Sequence, residues 1–142
     1  MHRTDVPVSM FHYGISTERL FLRVDFRIGY HDPNLFGDAM QIHISKPKPQ
    51  RIVVPMGMSG RNSFIIDEES GLRRNLPDGT VVISEIVEAG FEWSDLGAKL
   101  GDRVQFHLSL DNAENSLASW PMSGSFSVVV PDEDFERRMW SV

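Results

Sequence analysis

Apolar residues recur at every second position in four stretches of the chain. In RLFLRVDF, residues 19–26, Leu20, Leu22, Val24 and Phe26 fall on one side and Arg23 and Asp25 on the other, while Phe21 breaks the polar side. MQIHIS (Met40, Ile42, Ile44), RVQFHLSL (Val104, Phe106, Leu108, Leu110) and SFSVVV (Phe126, Val128, Val130) repeat the pattern. A strand with one face in a core sends successive side chains in and out, so each stretch predicts a half-buried strand. SMFHYGI at 9–15, QRIVVPM at 50–56, NSFIID at 62–67, TVVISEIV at 80–87, EAGFEW at 88–93 and NSLASW at 115–120 predict further strands. Turn formers collect between them, in HDPN, KPKP, MSGRN, LPDG, DLGAKLGD, DNAEN and PMSG. About eight to ten short strands at this spacing, without long amphipathic helices, predict an all-β fold of two packed antiparallel sheets, a β-sandwich. Residues 8–142 read as its single domain and residues 1–7 as a linker remnant.

The helical signal sits at the end, in PDEDFERRMW, residues 131–140. Asp132 is placed as an N-cap, Glu133 and Asp134 put negative charge in the first turn, and Arg137 and Arg138 put positive charge in the last, all matching the helix dipole. Phe135 and Met139 then share a face. The pattern predicts a short helical turn that lays Phe135, Met139 and Trp140 over an open end of the sandwich, a plug rather than a binding site.

Composition narrows the partners. With 142 residues the chain is long enough for one core of its own. Fourteen Lys and Arg against twenty Asp and Glu leave a charge of −6, which repels phosphate backbones and offers anionic lipid no polybasic patch. Nucleic acid and membrane are therefore not expected as partners. There is no cysteine, so no thiolate site or disulfide frame exists, and a reducing, cytoplasmic setting is the expectation. No stretch approaches the roughly 18 apolar residues of a membrane span, and the opening MHRTDVPVSMFHYG has no apolar signal core.

Catalytic patterns are weak. Asp67, Glu68 and Glu69 form a loop run of the kind that is usually solvated. Glu85, Glu88 and Glu92 are dispersed, with Glu85 in phase with Val81, Ile83 and Val87. Paired acids facing across a cleft, as glycoside hydrolysis requires, are not evident. GMSG at 57–60 lacks the spacing of a nucleophile elbow. The five histidines form no HExxH or HxH. His43 and His107 occupy polar-side positions of confident strands and meet only if those strands are neighbours. Asp32, Asn34 and Asp38 in YHDPNLFGD offer oxygen ligands to calcium, but the loop lacks the later Glu of an EF-hand, and an Asx-Pro turn is its ordinary reading. No catalytic residue, metal or cofactor is assigned.

Sugar binding needs an exposed ring for a pyranose to stack on, bordered by hydrogen-bonding side chains. Arg23, Asp25, Gln41, His43, Arg103, Gln105, His107 and Ser109 project from the polar sides of confident strands, as a groove lining or as a solvated sheet face. Trp93 and Trp120 lie at strand ends, either exposed as platforms or folded inward as caps.

Three segments together resemble the non-catalytic domain that follows the catalytic region in many bacterial family 57 glycoside hydrolases. FHYGISTERLFLRVDF is similar to its opening through Tyr13, Gly14, Leu20, Leu22, Arg23 and Asp25. VEAGFEWSDLGAKLGDRVQFHLSL is similar to its middle through Glu88, Asp95, Leu96, Gly97, Gly101, Asp102 and Phe106. SWPMSGSFSVVVPDEDFERRMWSV is similar to its end through Trp120, Pro121, Gly124, Pro131, Asp132, Asp134, Phe135, Glu136 and Trp140. Looser similarity extends to family 9 carbohydrate-binding modules and DOMON-like sandwiches, whose stacking pair of Trp has no residue-by-residue counterpart here. The match covers both ends and about half of the chain and leaves 27–80 poorly matched. Neither the catalytic barrel nor its carboxylates are in this sequence. The resemblance implies a jelly-roll type of sandwich with a short C-terminal helical turn, ending a longer α-glucan-acting parent at Val142. It implies an accessory domain that binds an α-glucan or related oligosaccharide, with Arg23, His43, Gln105, His107, Trp93 and Trp120 as the binding residues and the parent's catalytic domain as neighbour. The alternative implication is a domain that docks on that catalytic domain or mediates oligomerisation and binds no sugar.

Overall fold

Two antiparallel sheets face each other across the side chains that the alternation puts on one side of each strand. The structure is a computed structural model, and it describes residues 8–26, 39–56, 62–84, 86–111, 116–121 and 123–132. The strands are β1 (Val8–Ile15), β2 (Arg19–Phe26), β3 (Ala39–Lys46), β4 (Gln50–Pro55), β5 (Phe64–Asp67), β6 (Arg73–Asn75), β7 (Val81–Ile83), β8 (Ile86–Glu92), β9 (Arg103–Asp111), β10 (Ser116–Trp120) and β11 (Phe126–Val129). One sheet runs β1-β2-β8-β7; the other runs β10-β9-β3-β4-β5-β6, with β11 also paired to β9. All pairings are antiparallel.

The core is the inward half of that alternation. Leu20, Leu22, Val24, Val87, Ala89 and Phe91 come from the smaller sheet; Met40, Ile42, Ile44, Ile52, Val54, Val104, Phe106, Leu108 and Leu110 come from the larger. Their positions alternate with half-buried or exposed residues along β3 and β4, and along β9 except at Ser109, which is buried between Leu108 and Leu110. At one open side the rings of Phe11 and Tyr13 on β1 meet Phe126 on β11. Tyr13 stands edge-on to Phe106 at 5.5 Å and 5.0 Å from Phe126.

The segment Trp93–Ala98, expected as a strand end at Trp93 followed by a turn from Asp95, is a packed cap. Trp93, Leu96 and Ala98 are buried in the core, and the turn closes through Leu96 N–H and Ala98 N–H to the Trp93 carbonyl. The buried Gln50 on β4 donates from Nε2 to the Leu96 carbonyl at 2.7 Å, so the polar group inside is satisfied and the cap is tied to the larger sheet.

Two strand boundaries differ from the sequence reading. TVVISEIV is not one strand: β7 ends at Ile83, β8 starts at Ile86, and the two pair as a hairpin with Val82 opposite Glu88. The expected second strand over EAGFEW is the continuation of β8. β6 was not foreseen, because RRN has no apolar residue to alternate; it is held by pairing with β5 and by the Arg73 guanidinium 3.5 Å over the Phe64 ring. The predicted tail helix beyond Asp132, the linker 1–7, Glu85 and the loop residues Asp32, Asn34 and Asp38 lie outside the described residues.

Candidate functional site

On the outer face of the smaller sheet, the residue that broke the polar side of β2 becomes the centre of a groove. Phe21 is opposite Gly14 on β1 and opposite Gly90 on β8, so no side chain flanks it on either neighbouring strand. Its ring lies over Gly90, where an added Cβ would stand 3.4 Å from Cδ1 and Cε1. The ring remains 44% exposed. Arg19 and Arg23 follow at the two-residue spacing of the same face. Arg23 Nε donates to Asp25 Oδ1 at 2.7 Å, and Arg19 pairs with Glu92 at 3.6 Å. The Asp25 hydrogen bond raises the Arg23 pKa, so the guanidinium stays charged at any working pH. One rim is the turn Pro77–Thr80, closed by Thr80 N–H to the Pro77 carbonyl at 3.2 Å with Gly79 at φ 89°. That φ at the third turn position is the left-handed value of a type II turn, which glycine accepts without strain. The resulting groove has a volume of about 840 Å³, with His12, Val82 and Glu88 also on its walls. It offers one flat apolar surface ringed by donors and acceptors.

On the outer face of the larger sheet, β3 and β9 are neighbours and His43 is directly opposite His107. Their rings stack at 4.4 Å between centroids and 8° between planes. His43 Nε2 is 2.9 Å from Ser109 Oγ, and Ser109 Oγ donates to Asp111 Oδ2 at 2.7 Å. Gln41 Nε2 donates to the same carboxylate oxygen at 2.7 Å. A hydroxyl has one proton and a carboxylate only accepts, so Ser109 spends its proton on Asp111 and accepts from His43. Neutral His43 is therefore the Nε2–H tautomer, with Nδ1 bare. Burial pushes the His43 pKa down, the neighbouring His107 adds to this, and Asp111 opposes it.

The edge chain builds the wall of this second site. Trp120 is opposite Leu108 and Phe126 opposite Phe106, so the ladder is interrupted opposite His107, with Pro121, Ser123, Gly124 and Ser125 outside it. Pro121, Ser123 and Gly124, with Ser119, face the imidazoles across a cleft of about 430 Å³.

The six residues expected to bind sugar do not form one site. Arg23 lies in the groove of the smaller sheet. His43, Gln105 and His107 lie together on the larger sheet, Gln105 two residues along β9 from His107. Trp93 is 4% exposed and gives Nε1–H to the Ser16 carbonyl at 2.8 Å, so its ring is a core cap and has no free face for a ligand. Trp120 packs inward against the core. Phe21 was missed as a site residue, although an aromatic on the polar side of the most regular strand was the signal. Ser109 and Asp111 share the parity of His107, but their relay needs β3 beside β9. No family model, curated protein or solved structure matches this chain.

Proposed function

We propose that the chain is a non-catalytic carbohydrate-binding domain, an accessory part of an α-glucan-acting glycoside hydrolase, with Phe21 as its sugar platform. The observation that carries this reading is the exposed Phe21 ring, laid over Gly90 and opposite Gly14 in the ladder, in a groove with charged walls. A pyranose ring presents an apolar C–H face and a polar rim of hydroxyls. The Phe21 ring supplies the first partner, and Arg19, Arg23, His12, Glu88 and Glu92 stand around it for the second. The parent enzyme class rests on the sequence resemblance. In the fold, β2 pairs with β8 in one sheet while β3 pairs with β9 in the other, both antiparallel; this nested pairing supports the jelly-roll reading. Val130 N–H donates to the Asp102 carbonyl, and the Val130 carbonyl accepts from Gly101 N–H. The chain is thereby anchored where the tail starts, which supports a helical turn packed on the body.

The test is a titration of isotope-labelled protein with maltooligosaccharides and with glycogen, read by amide shifts. Shifts centred on Phe21, Gly90, Arg19 and Arg23, with Phe21→Ala weakening binding by about tenfold or more and leaving thermal stability nearly unchanged, bear the proposal out. No shifts at saturating sugar sink it. Phe21 and Val82 exposed in one groove favour the second reading, a surface that receives an apolar side chain of the parent's catalytic domain. That reading predicts binding of the purified catalytic domain, weakened by the same Phe21→Ala substitution, with no response to sugar.

A further inference from the structure

We propose that His43 and His107 form a binding site for a divalent transition metal of the zinc, nickel or copper(II) class, with two imidazoles as the protein ligands and open positions facing the cleft. This stands independently of the sugar reading, which concerns the opposite sheet.

Three observations carry it. The first is placement: two imidazoles occupy directly opposite positions on adjacent strands and lie 4.4 Å apart. Rigid strand backbones thus hold the two rings side by side, with 4.4 Å between their centroids. The second is orientation. Metal-bound histidines characteristically donate their other ring N–H to a carboxylate or a group that leads to one, which fixes the tautomer and makes the bare nitrogen more basic. His43 has this arrangement already, through Ser109 to Asp111. Ser109 is itself 4% exposed, so the relay is shielded from competing water. The third is space: the cleft walled by Ser119, Pro121, Ser123 and Gly124 leaves room over the rings for water or another ligand to complete the coordination.

The chemistry selects the class of ion. Imidazole nitrogen suits zinc, nickel and copper, while calcium and magnesium demand several oxygen ligands. Among the described residues no group of three or more His, Cys, Asp or Glu converges into a closed cage, so the site is a two-histidine one. Ligand nitrogens in a tetrahedral zinc site stand about 3.4 Å apart, from bonds of roughly 2.0–2.1 Å. The parallel rings hold their in-plane lone pairs side by side, so binding one ion requires the rings to turn toward each other about χ2, a broad torsion in histidine.

The experiment uses the whole chain, stripped of metal with a chelator and titrated with zinc chloride while the imidazole C–H and ring nitrogen resonances are followed. The expected result is a saturable one-to-one shift of both His43 and His107, with exposed His12 on the other sheet unmoved. The unliganded protein should show the Nε2–H tautomer signature at His43. His43→Gln and His107→Gln should each weaken zinc binding at least tenfold. Ser109→Ala, which removes a positioning residue, should weaken it roughly tenfold and mix the His43 tautomers, a spectroscopic change that mere packing loss does not produce. The wild-type titration decides without any variant. Zinc that shifts neither ring, or binding that survives unchanged in the His43→Gln, His107→Gln double variant, overturns the proposal.

Discussion

Replacing Trp93 separates a core cap from a ligand platform. Its ring is 4% exposed, and its Nε1–H reaches the Ser16 carbonyl at 2.8 Å. Its main chain is also committed: its N–H donates to the Glu18 carbonyl, and its own carbonyl accepts from Leu96 and Ala98. The residue therefore fastens the turn between β1 and β2 to the cap that follows β8. A buried aromatic hides roughly 150–250 Å², worth about 4–6 kcal/mol at ~25 cal/mol per Å²; core Trp or Phe truncations to Ala cost about 3–5 kcal/mol. The Ser16 carbonyl is in a half-buried residue that water can reach, so the lost hydrogen bond adds about 1 kcal/mol or less. Trp93→Ala should then lose about 4–5 kcal/mol, much of the roughly 5–15 kcal/mol that holds a domain together. Trp93→Phe is the more useful variant. It keeps a six-membered ring and drops the donor and the pyrrole edge, and about 1–2 kcal/mol should go with them. Urea unfolding followed by circular dichroism measures this without depending on tryptophan emission, with the slope serving as a check that the unfolded state is unchanged. A Trp93→Phe midpoint equal to wild type, or a Trp93→Ala protein as stable as wild type, would refute the cap. Sugar-dependent shifts of the Trp93 indole would refute it independently.

Three further outcomes are expected. Gly79→Ala should cost about 1–2 kcal/mol in thermal unfolding, since its φ of 89° forces a β-carbon into the left-handed region. Ile42→Ala, at a fully buried position on β3, should cost about 2–5 kcal/mol, whereas Arg19→Ala, which breaks only a surface pair, should stay within about 1 kcal/mol. Acidification should weaken the fold in two stages. The His43 pKa is lowered from 6.5 by burial and by His107, with Arg51 adding to this and Asp111 and Glu68 opposing. The unfolded chain therefore takes up the proton first, and stability present above pH 6.5 declines as pH falls below it. Asp67, lowered from 3.8 by the backbone N–H groups of Ser70 and Glu69, removes its share only as pH falls through the acidic range. His43→Gln should abolish the first stage and leave the second, read by chemical denaturation in chelator at pH 7, 5.5 and 3.5.

Period-two alternation made the inward faces of β2, β3 and β9 legible, because each strand has one face in the core and nothing local competes with that requirement. Where the signal was absent, the reading lost accuracy. Nothing in TVVISEIV punctuates the chain at Ser84, so two strands read as one. Arg73, Arg74 and Asn75 carry no apolar alternation, so β6 went unseen. The site residues were legible as polar-face positions and no further, since pairing of His43 with His107, or of Phe21 with Gly14 and Gly90, is decided by which strands are neighbours. The partners lie far apart in the chain: His107 follows His43 by 64 residues and Gly90 follows Phe21 by 69. For Trp93 and Trp120, position at a strand end fixed neither orientation; Trp93 is buried in the core and Trp120 is partly buried against it, because apolar area is worth more buried than exposed.

The interruption of the β9 ladder opposite His107 has a second effect. A sheet edge is a template on which another chain can add a strand, and short or interrupted edges discourage it. β6 and β7, at the ends of the two sheets, have three residues each, while β10 and β11 present five and four with the ladder broken opposite His107. An incoming strand meets no continuous row of main-chain partners on any of them. Among the described strands only β1 offers an eight-residue edge, and a register shift between Val8 and Met10 kinks its start. The break that opens onto the imidazole cleft therefore also shortens the template that this edge offers to a strand of another copy.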